Sequence, residues 1–395
     1  MNGGTVRGRN YRVRHRGSEK RLIEFIVLKV AFDSEIFVAQ KYGGISRYVH
    51  SLAVELERID AVESLIVAPL HRNRYLADSA EFSAGKVVLP EFTGLLSVVA
   101  NRGANFLGEI AMKCVSPDIV HKTYFGPSRY RTGKANVLTV YDMVYEKFPH
   151  FFEDGGDLVR KKKEAVAGVD HVICISEHTR NDLVELCDVP REKTSVVYLG
   201  VDEVFLEEVQ ENTIEVGFPF VLFVGSRGSY KNFELLIDAF SSSARLKKDF
   251  GIICFGGGTF TEKEKRLVAR AGLKSDRVLQ MSGHDSCLKE LYSLADVFVY
   301  PSLYEGFGMP PLEAMSSGCP VVSSNTSSLP EVVGDAAEMV DPESFESIRH
   351  GLEAVLYCDQ RRVELISKGR VNASRFSWKN CAQDTYEIYK RLLSE

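Results

Sequence analysis

The sequence predicts an α/β protein built as two doubly wound domains that face each other across a cleft. Three observations carry this expectation. The chain has 395 residues, which suits two domains of roughly 150 to 200 residues each. Short apolar runs alternate with helical stretches, and the alternation starts afresh near residue 218. The runs are apolar on both faces, as strands of a parallel sheet covered by helices on both sides have to be.

Residues 25–33 (FIVLKVAFD) form an apolar run ending at a turn, and 45–59 show helical spacing through Ile45, Val49, Leu52, Ala53 and Leu56. Strand-like runs follow at 64–69, 86–90, 118–122, 136–142, 171–176 and 195–199, with helices at 157–167 and 177–187. Leu95, Leu96, Val98, Val99, Phe106, Leu107 and Ile110 predict an amphipathic helix within 92–114. The acidic, turn-poor residues 203–217 mark the boundary. Beyond them come strands at 218–226, 251–256, 277–283, 296–302 and 320–324 and helices at 231–244, 261–272, 285–295 and 310–317. A last helix begins after Trp378. The expected division is a basic leader over 1–21, a first domain over 22–206, a second over 207–376 and a closing helix over 377–395.

Composition excludes several classes. Hydrophobic residues make up 45% and charged ones 26%, the usual balance of a globular chain. The net charge of −5 argues against a uniformly basic nucleic-acid binder. Basic charge gathers in the leader, where Arg7, Arg9, Arg12, Arg14, Arg16, Lys20 and Arg21 face one acid, Glu19. The leader has no apolar core of a secretory signal; it reads as a disordered or over-extended start, or as an attachment to anionic lipid. Eight scattered cysteines with no C-x-x-C pair point to a reducing cytoplasm rather than to disulfides or zinc. No run approaches ~18 consecutive apolar residues, so no membrane span is expected.

The densest signal is Tyr300-Pro-Ser-Leu-Tyr-Glu305-Gly306-Phe307-Gly308-Met-Pro310-Pro311-Leu-Glu313. A strand ends, a loop with two glycines turns, and prolines suit the first turn of the following helix. Backbone N–H groups of Gly306, Phe307 and Gly308 then stand beside a helix N-terminus, a site suited to phosphate or a developing oxyanion. Glu305 and Glu313, eight residues apart, can point into one crevice, where carboxylates accept from sugar hydroxyls. In Gly225-Ser226-Arg227-Gly228-Ser229-Tyr230-Lys231-Asn232 a second strand ends and Lys231 opens a helix. A lysine at a helix N-terminus asks for an anion. Gln40-Lys-Tyr-Gly43-Gly44-Ile45-Ser46-Arg47 is a strand-to-helix turn in the first domain, and Thr139-Val-Tyr141-Asp142 ends another strand.

Taken together, these segments resemble the retaining glycosyltransferases of the GT-B fold, family four, in which two Rossmann-like domains enclose the cleft. The resemblance runs from about residue 27 to 395. It rests on the glutamate pair Glu305 and Glu313, on 196–202 (VVYLGVD), 223–233, 288–295 and 319–322, and on Phe376-Ser-Trp378 with its helix. It implies that Glu313 holds the nucleotide ribose and Glu305 the transferred sugar. The amides of Gly306, Phe307 and Gly308 face sugar and diphosphate, with Lys231 and Arg227 on the diphosphate. Ser226 stands where the family carries its arginine, and Arg227 follows it. Gly43 and Gly44 approach donor phosphate and acceptor, and Asp142 contacts donor or acceptor. Tyr141 stands where many members carry histidine. Residues 92–114 line the acceptor side.

The expected activity is metal-independent transfer of a hexose with retention from a nucleotide diphosphate sugar, first of all mannose from GDP-mannose. The acceptor is a saccharide or lipid-linked saccharide of surface polysaccharide biosynthesis. No cofactor and no metal are expected, since D-x-D is absent; G-x-x-x-x-G-K-[ST], H-E-x-x-H and G-x-S-x-G are also absent. The expected location is cytoplasmic, with peripheral attachment to the inner membrane face. A nucleotide-sugar epimerase of the same fold and an inactive nucleotide-sugar-binding subunit are the alternatives. Three features keep two readings each. His121 is a core or a cleft histidine, Gly256-Gly257-Gly258 a phosphate loop or a turn, and residues 160–163 (RKKK) a solvated helix face or a membrane contact.

Overall fold

The computed structural model describes residues 27–394 apart from 79–86, 89–93, 127–131, 153–154, 208 and 210–212. The basic leader 1–21 lies outside the described residues. Fourteen strands occur among them. The first eight are β1 (Leu28–Phe32), β2 (Val62–Ile66), β3 (Leu70–His71), β4 (Val87–Val88), β5 (Ile119–Lys122), β6 (Ala135–Val140), β7 (His171–Cys174) and β8 (Thr194–Val196). The others are β9 (Phe220–Val224), β10 (Gly251–Phe255), β11 (Val278–Met281), β12 (Val297–Tyr300), β13 (Val321–Ser324) and β14 (Glu338–Val340).

Two six-stranded sheets result, in the orders β2-β1-β5-β6-β7-β8 and β11-β10-β9-β12-β13-β14. Every pairing in them is parallel. Central strands are buried at each position, as in ANVLTV of β6, FVLFV of β9 and GIICF of β10. A strand buried on both faces has no use for polar alternation, which is why these runs stand out in the sequence. Each lobe therefore has the doubly wound architecture expected of it.

The strand order reverses direction between β1 and β5 in the first sheet and between β9 and β12 in the second. Connections leave in opposite directions at these points and open a crevice beyond the carboxyl ends of the strands. The segments 225–231 and 301–308 are the exits of β9 and β12. The sheet itself brings them together.

Some elements differ from expectation. Of the run 86–90 the described residues are Val87 and Val88, and among the described residues they pair with β3 rather than with the main sheet. Lys231 belongs to a 3-10 turn, Ser229–Lys231, and the helix Phe233–Ser242 follows with Asn232 at its N-cap in the left-handed region (φ 63). Strand β14 and the helices Phe345–Leu356 and Asp359–Ala373 complete the second lobe beyond the elements read from sequence. The helix Trp378–Ser394 then returns to the first lobe. Its Tyr389 hydroxyl lies 2.5 Å from His121 Nδ1, and the Trp378 ring stands 6.1 Å from that of Tyr48. None of the eight cysteines is paired.

Candidate functional site

The exits of β9 and β12 are tied by the Leu303 amide, which donates to the Tyr230 carbonyl at 2.8 Å. Asn232 Nδ2 adds bonds to the carbonyls of Pro301 (3.0 Å) and Pro342 (2.6 Å). This scaffold sets Lys231 Nζ 2.6 Å from Glu305 Oε1 and 2.9 Å from the Tyr300 hydroxyl. Both side chains are mostly covered, at 15% and 11% exposure. An ion pair so enclosed is oriented rather than floppy, and it sets a cation at the start of the glycine loop.

The loop after Glu305 is pinned on both sides. Glu305 N–H donates to Ser327 Oγ at 3.0 Å, and Ser328 Oγ donates to the carbonyls of Glu305 and Phe307, each at 2.8 Å. Gly308 has φ 111, a region closed to side chains, and heads the helix Met309–Ser316 with prolines in its first turn. The N–H groups of Gly306, Phe307 and Gly308 find no acceptor among the described residues. They are therefore available to an anion.

The first lobe reaches the same loop. A Cβ on Gly306 would lie 1.8 Å from the Tyr141 carbonyl oxygen and 3.0 Å from Asp142 Cβ. Only glycine permits that approach. The Gly306 carbonyl accepts from Ser176 Oγ (2.7 Å) and Thr179 Oγ1 (3.1 Å). Tyr304 donates to Asp182 at 2.8 Å, and the same carboxylate receives Lys147 at 3.0 Å and His178 at 3.2 Å. Burial works against that charge, but the bonds from His178, Tyr304 and Lys147 outweigh it and hold the carboxyl down at about 2. Asp142 thus stands at the edge of the loop, its own carboxylate receiving the Val144 amide at 3.1 Å.

Glu313 is buried, 5% exposed, and its carboxyl is raised from the usual range by that burial. It accepts from the guanidinium of Arg47, on the helix Gly44–Glu57 of the opposite lobe, and at 3.3 Å from the Tyr292 hydroxyl. Gly43 is the N-cap of that helix and Gly44 its first residue. The glycine turn thus faces the glutamate through Arg47.

Arg227, expected from the sequence on a diphosphate, is engaged within its own lobe. It is 5% exposed, pairs with Glu264 at 2.8 Å, and donates to the carbonyls of Gly256, Gly257, Gly258 and Thr259 at 2.8 to 3.3 Å. Its donors are consumed in folding the glycine loop, whose φ values of 84, 68 and 73 make it a tight turn. His121 is a core residue: it is 1% exposed, between Tyr389 and Thr139, and burial lowers its ring to about 3.

Several neighbours of the site were given no place in it by the sequence. Lys162 is 1% exposed and donates to the Asp142 carbonyl and to Glu146, each at 2.9 Å. Its spacing with Leu158, Ala165 and Val166 placed it on the covered face of its helix, a signal hidden by the charge run. Its companions Arg160 and Lys161 pair with Asp157 and Glu164 on the surface. Asp33 and Glu35 leave β1 at the reversal point, receiving Thr123 N–H (3.1 Å) and Gly126 N–H (2.8 Å). Burial, with the charge of Asp33, lifts Glu35 to about 7. Among the described residues there is no cluster of three or more His, Cys, Asp or Glu arranged to hold a metal, and no helix long and apolar enough to cross a membrane.

The chain matches the family Glycosyltransferase Family 4 over residues 42–205 and Glycosyl transferases group 1 over residues 204–372. It is 28% identical over 283 residues to O-antigen chain mannosyltransferase B of Escherichia coli, covering 68% of this chain and 74% of that protein. Similarity to the serotype-specific mannosyltransferase WbdA of Escherichia coli is 26% identity over 374 residues. That match takes in 87% of this chain but only 45% of WbdA, so the chain spans under half of that relative's length. Among solved structures, sucrose-phosphate synthase from Thermosynechococcus elongatus superposes with a TM-score of 0.73 at 18% identity, covering 93% of this chain and 99% of that one. Anabaena Alr3699/HepE in complex with UDP-glucose superposes at 0.69 with 18% identity, covering 92% of this chain and 100% of that one.

Proposed function

The chain belongs to the glycosyltransferases of family 4, and from that premise we propose that it transfers mannose from GDP-mannose to a hydroxyl of a saccharide or lipid-linked saccharide. Retention of anomeric configuration, independence from metal and a place in surface polysaccharide assembly are parts of the same proposal. The mannosyl assignment is supported by the names of two relatives, O-antigen chain mannosyltransferase B and the mannosyltransferase WbdA.

One observation carries the chemistry. The Lys231–Glu305 pair (2.6 Å) stands beside the unspent amides of Gly306, Phe307 and Gly308 at the strand-order reversal. As the bond from the anomeric carbon to the diphosphate oxygen breaks, negative charge grows on the departing nucleoside diphosphate. Lys231 and the three amides are preorganised to receive it, and charge stabilisation of this kind needs no metal. Glu305 accepts from hydroxyls of the transferred sugar, and Glu313 from those of the ribose. The acceptor oxygen attacks on the face the diphosphate leaves, and its proton passes to a diphosphate oxygen, so the glutamates take no proton in the reaction. Asp142, held beside Gly306 by Lys162 on its carbonyl, orients the acceptor hydroxyl.

The acceptor side extends over the helix Gly94–Val115. Val98, Val99, Phe106, Leu107 and Ile110 are exposed on it, and the 98–102–106–110–113 spacing puts Arg102 and Lys113 on the same face. Apolar and basic side chains on one helix face suit an anionic membrane surface, where a lipid-linked acceptor would reside.

Thermal-shift titration with GDP-mannose, GDP-fucose, UDP-glucose and UDP-N-acetylglucosamine, each with excess chelator, tests the donor. GDP-mannose should stabilise the protein most. No shift with any donor until a divalent metal is added would reject the metal-free reading, and a larger shift with a UDP-sugar would reject GDP-mannose.

A further inference from the structure

Arg47 has no role in the activity as derived so far, yet it sits at the point where the lobes meet around Glu313. Its guanidinium faces three carboxylates: Glu313, Asp202 at 2.8 Å and Asp285 at 3.4 Å. Asp202 is fixed in turn by Trp378 Nε1, and the Phe205 ring covers the guanidinium at 5.9 Å. Arg47 is 12% exposed and Glu313 5%. Three acids face one base, and Glu313 is the most deeply covered of them, whereas Asp285 is 45% exposed. A carboxylate buried there without its guanidinium would take up a proton rather than keep its charge.

The ionised form of Glu313 is acceptor-only and so the better partner for two vicinal hydroxyls, whereas protonation turns one of its oxygens into a donor. One of its oxygens is held by Arg47, while the other receives a single long bond, 3.3 Å, from Tyr292. Each oxygen therefore retains a lone pair for a ligand. We infer that Arg47 is a positioning residue for nucleotide recognition: reaching across from the opposite lobe, it keeps Glu313 charged and aimed so that the carboxylate can accept from a ribose diol. Ribose binding is thereby linked to the lobes being together, since the group that readies the carboxylate belongs to the other lobe. This rests on the reading of Glu313 as the ribose acceptor.

The groups facing Glu313 set the pH behaviour. They are Arg47 from the helix Gly44–Glu57, Asp202 from the segment after β8, and Asp285 and Tyr292 from the helix Asp285–Leu294; Tyr75 adjoins Arg47. Removing the guanidinium leaves Glu313 among acids and a neutral phenol. Protonation then sets in as pH falls, and affinity for the diol falls with it.

Calorimetric titration of GDP and of 2′,3′-dideoxy-GDP into wild type, R47M, R47K, E313Q and R47M/E313Q between pH 6 and 8.5 tests this. R47M should bind GDP at least tenfold more weakly at pH 6 and regain part of the loss by pH 8.5, with R47K in between. E313Q should be weak at every pH, and R47M/E313Q no weaker than E313Q. None of the variants should differ on the dideoxy nucleotide. Unchanged or tighter GDP binding by R47M would overturn the inference, because the guanidinium would then be idle or a competitor of the ribose. Should R47M fail to fold, R47K carries the same test through its smaller pH-dependent loss, and wild-type binding by R47K across that range would overturn it. If E313Q binds GDP as wild type does, the ribose reading itself fails, and that result is distinct from failure at Arg47 alone.

Discussion

Gly306 shows how much one residue decides here. The Tyr141 carbonyl occupies the space where any side chain would begin, 1.8 Å from a built Cβ. Gly306→Ala is expected to push the lobes apart at this contact, costing about 1 to 3 kcal/mol as overpacking does and lowering kcat/KM with it. A melting temperature equal to wild type would refute the steric account. Lys231 acts differently. Lys231→Ala should lower kcat about 10²-fold, as ~2.7 kcal/mol of lost leaving-group stabilisation requires, with donor KM changed far less. An unchanged kcat in steady-state assays would remove Lys231 from the diphosphate. Glu305, the 306–308 amides and Glu313 were legible in the sequence because a strand end, glycines, prolines and carboxylates lie within one short stretch, and Lys231 because it closes a second strand exit at 225–232. Arg47 was not, because its partner Glu313 lies 266 positions away. Charge and position alone did not reveal that Arg227 is engaged by Glu264 and the glycine loop.

At the scale of elements, burial on both faces made the central strands readable to within about two residues. One edge strand and one isolated pairing escape that logic. β14 has three residues, two of them only partly buried, and β4 is a two-residue pairing outside the main sheet. The helix Asp359–Ala373 exposes Val363 and Val371 at 66% and 69%, which blurs its apolar stripe. The helix Gly94–Val115 was legible, and its apolar outer face leads to a prediction. Flotation with vesicles containing anionic lipid should recover the protein. V99S/F106S/L107S should reduce binding at least about tenfold, which ~1.4 kcal/mol of lost apolar burial would give. Equal recovery of the variant would show that this face does not meet lipid.

At the scale of the whole molecule, the lobes are joined by polar contacts that the chain makes only when folded together. Glu331 of the second lobe accepts from the amides of Glu177 and His178 at the start of a first-lobe helix, at 2.7 and 3.2 Å. Acid stability follows from the buried histidines. Burial lowers His121 to about 3 and, with Arg391 and Lys193 nearby, His171 to about 4. Their neutral forms belong to the folded state, so the unfolded chain binds more protons below the ordinary histidine value near 6.5. The stability they contribute is present above that pH and is lost as pH falls. Denaturant unfolding of His121→Gln should therefore show a smaller loss between pH 7 and 5 than wild type. Comparison with wild type cancels the opposite trend of Glu35, whose raised carboxyl favours the folded state at lower pH. An identical slope would mean that His121 is not protonated on unfolding.

The returning helix Trp378–Ser394 has a consequence for how the protein is made. It covers Tyr48 and His121 of the first lobe, yet it emerges from the ribosome only after the entire second lobe. At roughly 5 to 20 residues per second, the first lobe waits about 10 to 35 s with part of its interior uncovered. The second lobe has its own sheet and is complete before that helix appears. Order of synthesis and order of completion are therefore reversed: the half that is translated first is finished last, and in the interval it is the natural client of a chaperone.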